Sequence, residues 1–191
     1  MKAALVVIDV QQGMFQIPEF LLHDGEGTVD RIAALIARAR ESGTPIFFVQ
    51  HDGGPEHPFH PGKPGFPFHE KLTPLADDDV TVKHRGSAFH GTDFDSRLRT
   101  GGIDTLIVCG MQSEYCVDSA VRGAVERGYS VVLVADGHTT GDTQALTGAQ
   151  IVAHENKTLD GSYARVVPAA DVRFGKPTRI RRVRKPSRIA L

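Results

Sequence analysis

Short apolar runs alternate along this chain with stretches whose apolar residues recur every three or four positions. Ala3–Ile8 is apolar at every position, the pattern of a strand buried on both faces of a parallel sheet. Residues 29–42 carry Ile32, Leu35, Ile36 and Ala39 at helical spacing, with Thr28 as the expected N-cap and Gly43 as the stop. Further strands are expected over residues 45–50, 80–82, 105–109, 130–135 and 165–167. Between them, a helix should open near Thr92 or Asp93. Another should run from about Tyr115 to Arg127, with Val117, Ala120, Val121, Ala124 and Val125 on one stripe, and a third from Asp142 to about Asn156. This alternation specifies an α/β domain with a mostly parallel sheet and no internal repeat.

Residues 51–74 break the pattern, holding six prolines and four glycines in 24 residues. That density forbids a helix or a central strand, so the segment is expected to be a long loop serving as a lid or binding surface.

Composition adds little to the fold but narrows the function. A chain of 191 residues that is 40% hydrophobic and 24% charged suits one globular domain. The net charge of −1 conceals an asymmetry. Eight of the 22 basic residues and none of the 23 acids lie from Arg173 onward, so the body carries about −9. The chain therefore divides into a domain over residues 1–171 and a basic tail over 172–191. The tail lacks interleaved aromatics, so docking on an acidic surface is expected of it rather than nucleic-acid binding. Two cysteines, no signal-like leader and no apolar run of membrane length together imply a reduced, cytoplasmic protein that does not enter a membrane.

Chemistry gathers at the ends of strands, where parallel α/β sheets bind ligands. Asp9 ends the first run, Lys83 ends the third, and Cys116 follows the fourth at the expected start of a helix. Taken singly, each has an ordinary alternative: a turn-capping Asp, a solvated Lys and a small buried hydrophobe. At a helix start, free N–H groups and the helix dipole should favour the thiolate of Cys116. Cys109, inside the apolar run, should be inert. A thiol beside a base and a cation is an activated nucleophile.

Three segments carry a resemblance: VVIDVQQGMF around Asp9, KHRGSAFHGTDF from Lys83, and GMQSEYCVDSAVRGAVERGYSVVLVADGHTT around Cys116. With them the chain resembles the isochorismatase-like cysteine hydrolases, among them nicotinamidases and N-carbamoylsarcosine amidases. The resemblance implies a Rossmann-like three-layer sandwich with a six-stranded, mostly parallel sheet in the order 3-2-1-4-5-6. It implies a catalytic triad of Asp9, Lys83 and Cys116, a cis peptide at Met111–Gln112, and an oxyanion hole from the Gln112 and Cys116 amides. Lys83 would then have to span roughly 10 Å from a strand two places from Asp9. Phe15, Phe89, Glu114 and Tyr115 are the expected substrate contacts.

The metal-binding Asp-x-His of the nicotinamidase branch is missing: the segment reads VQHDGGPEHPFHPG, with His51 and Asp52 adjacent. No metal or other cofactor is therefore expected, although His51, His57, His60 and His69 lie in or near that segment. The expected activity is cleavage of a small amide, ureide or carbamoyl compound through a thioester on Cys116, by a homo-oligomer such as a dimer or tetramer. The alternatives are a vinyl ether hydrolase using Asp9 as acid, and a non-catalytic binding protein.

Overall fold

The computed structural model describes residues 2–175; the greater part of the basic tail lies outside the described residues. The strands are β1 (Ala3–Ile8), β2 (Ile46–His51), β3 (Asp79–Lys83), β4 (Thr105–Met111), β5 (Ser130–Thr139) and β6 (Arg165–Val167). They form one sheet ordered β3-β2-β1-β4-β5-β6, and every neighbouring pair is parallel. The helices are α1 (Gly13–Gln16), α2 (Gly25–Glu41), α3 (Phe94–Thr100), α4 (Asp118–Glu126) and α5 (Gly148–Leu159).

Alternation along the central strands explains the three layers. Ala4, Val6 and Ile8 of β1 join Leu106 and Val108 of β4 in a core shared with α3 and α4. Leu5, Val7, Ile107, Cys109 and Met111 face the other way, against Ile32, Leu35, Ile36 and Ala39 of α2. Both faces of the central strands are dry, which is why their sequences read as unbroken apolar runs.

Several boundaries differ from the expected ones. The α2 helix begins at Gly25, so Thr28 lies inside it; Asp24 precedes it in a left-handed conformation at φ 48°. Helix α5 begins at Gly148 rather than Asp142, behind a capping box in which Thr147 and Gln150 satisfy each other's backbone N–H groups. Strand β5 continues past Ala135 to Thr139, because its pairing with β4 jumps from Val108–Leu133 to Gly110–His138. Four β5 residues thus face the single residue Cys109.

The proline-rich stretch is a long loop with a single 3-10 turn, Glu70–Leu72. It is fastened to the sheet edge rather than free. The buried Gln11 side chain donates to the carbonyls of His51 at 3.0 Å and Phe66 at 2.8 Å, and accepts from the His51 N–H at 2.8 Å. Gln50 Nε2 donates to the same Phe66 carbonyl at 2.8 Å. Phe59, buried from this loop, joins the α2-side core.

Candidate active site

The carboxyl ends of β1, β3 and β4 deliver three functional side chains to one point. Asp9 leaves β1 with φ 49°, a left-handed turn that Asp tolerates better than most residues and that starts the chain's exit from the sheet. Lys83 is the last residue of β3, in register with His51 of β2. Its side chain crosses the end of β2 and brings Nζ to 2.7 Å from Asp9 Oδ2. The expected 10 Å gap is closed by the lysine stem from a strand position, without a loop on the lysine's side.

Cys116 sits on a π-helical turn, Ser113–Val117, that precedes α4. The expected helix start is therefore a wider turn, with the regular helix beginning two residues beyond the thiol. Lys83 Nζ donates to Cys116 Sγ at 3.2 Å and to the Arg85 carbonyl at 3.0 Å. His51 Nδ1 lies 3.4 Å from the same nitrogen. An ammonium only donates, so His51 Nδ1 faces it as an acceptor with its proton on Nε2.

Gly110 makes room beneath this site. Its φ is 128°, and a Cβ there would stand 2.1 Å from the Ile8 carbonyl oxygen. Only glycine lets β4 approach β1 at the residue preceding Asp9.

The electrostatics differ from the low-pKa thiol expected of a helix start. Burial and the Asp9 charge push the Cys116 thiol up to about 12, against the pull of Lys83. Burial also raises Asp9, with Lys83 opposing it. Burial works against the Lys83 charge, but Asp9 and Cys116 outweigh it and hold the lysine above its ordinary value. His51 falls to about 4 through burial and the neighbouring Lys83 and His57. At neutral pH Cys116 therefore rests as the thiol and His51 as the neutral imidazole, beside the Lys83 ammonium.

A proton passing from Cys116 to Asp9 leaves the net charge of this group unchanged and keeps an anion beside Lys83 in both states. Burial penalises isolated charge, so it bears on both states alike. A high resting thiol pKa is thus compatible with local thiolate formation. The arrangement brings a thiol, a carboxyl group and a fixed cation to one place, the set of groups that nucleophilic catalysis requires.

Other expected residues are distributed unevenly. The Met111–Gln112 peptide is cis, as anticipated. Glu114 is half-buried, with Oε1 accepting from the Thr140 hydroxyl at 3.0 Å and Oε2 buried without a partner. Tyr115 is exposed, and Phe15 meets the His69 ring edge-on at 4.6 Å. Phe89 is corrected: it is buried in the core against Phe94 and Tyr129, beneath the Arg127 guanidinium, which removes it from the substrate contacts. Of the loop histidines, His60 and His69 lie against the carboxylates of Asp52 and Glu26, whereas His57 Nδ1 accepts from the Phe59 N–H at 3.1 Å and its ring meets that of His51 edge-on. Asp52 takes His60 Nδ1 at 3.0 Å and His84 Nδ1 at 3.5 Å. Among the described residues no three His, Cys, Asp or Glu side chains are grouped to hold a metal ion.

This is an α/β domain whose parallel sheet gathers a thiol, a carboxyl group and an ammonium at its carboxyl edge. Residues 3–161 match the isochorismatase domain family, and the chain belongs to that family. It is 39% identical over 142 residues to the isochorismatase family protein YddQ of Bacillus subtilis, covering 73% of this chain and 79% of that one. Streptothricin hydrolase of Streptomyces noursei is 35% identical over 74% of this chain, which spans about half (51%) of that enzyme's length. The ureidoacrylate amidohydrolase RutB of Methylobacterium radiotolerans is 30% identical, over 69% of this chain and 65% of its own. The crystal structure of an isochorismatase from Pseudomonas putida superposes with a TM-score of 0.84 at 33% identity, covering 89% of both chains. The fold and family are those expected, and the protein is an isochorismatase-family hydrolase. No described helix is long and apolar enough to cross a membrane.

Proposed function

We propose that this hydrolase cleaves the C–N bond of a small amide, ureide or carbamoyl compound through a thioester on Cys116. The observation that carries the reading is one buried ammonium, Lys83, at 2.7 Å from the Asp9 carboxylate and 3.2 Å from the Cys116 sulfur. The names of two relatives, a streptothricin hydrolase and a ureidoacrylate amidohydrolase, support hydrolytic and amide chemistry.

In this mechanism Asp9 takes the thiol proton as Sγ forms a bond to the substrate carbonyl carbon. The oxyanion receives hydrogen bonds from the Gln112 and Cys116 amides. Collapse breaks the C–N bond, and Asp9 returns its proton to the departing nitrogen. Water then adds to the thioester while Asp9 accepts one of its protons. The second collapse breaks the C–S bond and frees the acid, and the proton on Asp9 restores the thiol. Lys83 stays charged throughout, beside whichever partner is anionic. Glu114, Tyr115 and Phe15 are the proposed substrate contacts, and the acting unit is a homo-oligomer of two or four chains. Both thiols are unpaired, which suits a reducing cytoplasm.

One observation favours a second reading. Burial raises the Asp9 pKa, which also suits an acid that protonates a vinyl ether while Cys116 stays idle. Ammonia or amine release from a panel of primary amides and ureides separates the two readings. The amidase is expected to turn over at least one member of the panel, to show an acyl adduct on Cys116 by intact mass, and to lose both in Cys116→Ala. A Cys116→Ala protein that is as active as the parent excludes the thioester.

A further inference from the structure

A buried chain of hydrogen bonds runs from the nucleophile's turn into the body of the protein. Ser113 Oγ, on the first residue of the turn carrying Cys116, lies 2.8 Å from His138 Nδ1. His138 Nε2 lies 3.0 Å from Asn156 Oδ1, and Asn156 Nδ2 donates to the Ala135 carbonyl at 2.9 Å. Ser113 is fully buried and His138 is 2% exposed.

Every proton in this chain is assigned from its far end. The Ala135 carbonyl can only accept, so the Asn156 amide points its nitrogen there and its oxygen toward His138. That oxygen accepts from Nε2–H, which leaves Nδ1 as the acceptor for the Ser113 hydroxyl. Burial lowers the His138 pKa, against the support of Asn156 and Asp136, and so favours the neutral ring that this pattern requires.

The β5 irregularity exists in the place this chain needs it. The extra residues set His138 opposite Gly110, one residue before Met111 and the turn. Their own polar groups are occupied: the Asp136 carbonyl accepts from Arg31 Nε at 2.6 Å, and Asp136 Oδ1 accepts from the Ala169 N–H at 2.7 Å. The insertion is therefore anchored to α2 and to the segment after β6, with His138 held at its end.

We infer that Ser113, His138 and Asn156 are positioning residues that hold the nucleophile turn, and so keep the Cys116 sulfur in register with Lys83 and Asp9. The inference rests on Cys116 being the nucleophile. None of the three touches the reacting atoms; they act through the backbone of the turn. Without the Ser113–His138 bond the turn keeps its own hydrogen bonds and the Thr140–Glu114 bond just past the end of β5, but loses its fully buried tie to β5 itself. Misplacement of a reacting group on the ångström scale costs up to about a hundredfold in rate.

Iodoacetamide labelling of the full chain, read by peptide mass spectrometry at both thiols, tests this without a known substrate. Ser113→Ala and His138→Leu are expected to slow Cys116 alkylation about tenfold while Cys109 stays unlabelled. His138→Asn, which keeps an acceptor near the place of Nδ1, should restore most of the rate. A purely structural role would loosen the fold and speed labelling of both thiols. Unchanged Cys116 labelling in folded Ser113→Ala, or equal rates in His138→Asn and His138→Leu, overturns the inference. If His138→Leu fails to fold, the Ser113→Ala result decides alone. Loss of the nucleophile reading appears separately, as amide turnover by Cys116→Ala.

Discussion

Cys109 and Cys116 lie seven residues apart, and burial raises the pKa of both. Their surroundings otherwise share little. Among the described residues, Cys109 Sγ donates to one polar group, the Val6 carbonyl at 3.6 Å, and burial is what raises its pKa. Cys116 Sγ accepts from Lys83 and adjoins Asp9. On the proposed mechanism, the difference teaches that a thiol here becomes a nucleophile through the proton acceptor and cation beside it, and not through a low resting pKa. A helix dipole alone would have predicted the reverse emphasis.

The largest way to break that comparison is to remove the cation. Lys83→Met should lower turnover by about a hundredfold or more, the scale of losing one preorganised electrostatic group. Lys83 is fully buried, and methionine replaces its stem but not its charge. Without the ammonium, the buried Asp9 should take up a proton and cease to be a base. Alkylation of Cys116 should slow together with turnover. A folded Lys83→Met protein with parental turnover would show that the ion pair is structural.

The pH profile sharpens the same point with a smaller effect. Asp9 accepts a proton only when ionised, and burial raises its pKa from the ordinary 3.8. The acid limb of kcat/KM should therefore lie above pH 3.8. The linked stability has a definite sign. The folded state holds the Asp9 proton more tightly than the unfolded chain, so the stability this confers is complete below pH 3.8 and lost as pH rises through the folded pKa. An acid limb at or below the ordinary carboxylate range would remove Asp9 from the proton path.

Much of this site is legible in the chain because strand ends are local features. Asp9 and Lys83 stand at the ends of strands and Cys116 on the turn that follows another, and a parallel sheet brings such points to one edge. What escapes a linear reading depends on register. The contact of Lys83 with Asp9 needs a side chain to cross β2, and no spacing encodes that. His138 was hidden because β5 looks complete at Ala135, whereas the strand resumes after residues that have no counterparts on β4. Gln11, which fastens the proline-rich loop, reads in sequence as one of two glutamines after a strand. Phe89 is an expected substrate contact, but its ring packs in the core against Phe94 and Tyr129, a placement that no local pattern encodes. The α5 start was available as a Thr-x-x-Gln capping box at Thr147 and Gln150, a signal that the apolar spacing from Asp142 obscured.

The smallest expected effect tests the silent half of the comparison. Cys109 is fully buried in β4, on the sheet face covered by α2, and it is the one residue opposite the β5 insertion. Cys109→Ala removes a sulfur that fills space and donates one long, weak bond. The cost should be about 1 kcal/mol in a denaturant titration, the ordinary price of a small void. Turnover and the Cys116 alkylation rate should stay near parental values, because no charged member of the site touches Cys109. A larger volume is a different perturbation at this position. A Cβ on Gly137 would already stand 3.3 Å from the Cys109 Cβ, so Cys109→Leu would press on the insertion that carries His138. If Cys109→Ala leaves the fold stable yet slows Cys116 alkylation, the two thiols are coupled through β5, and their separation into inert and reactive halves fails.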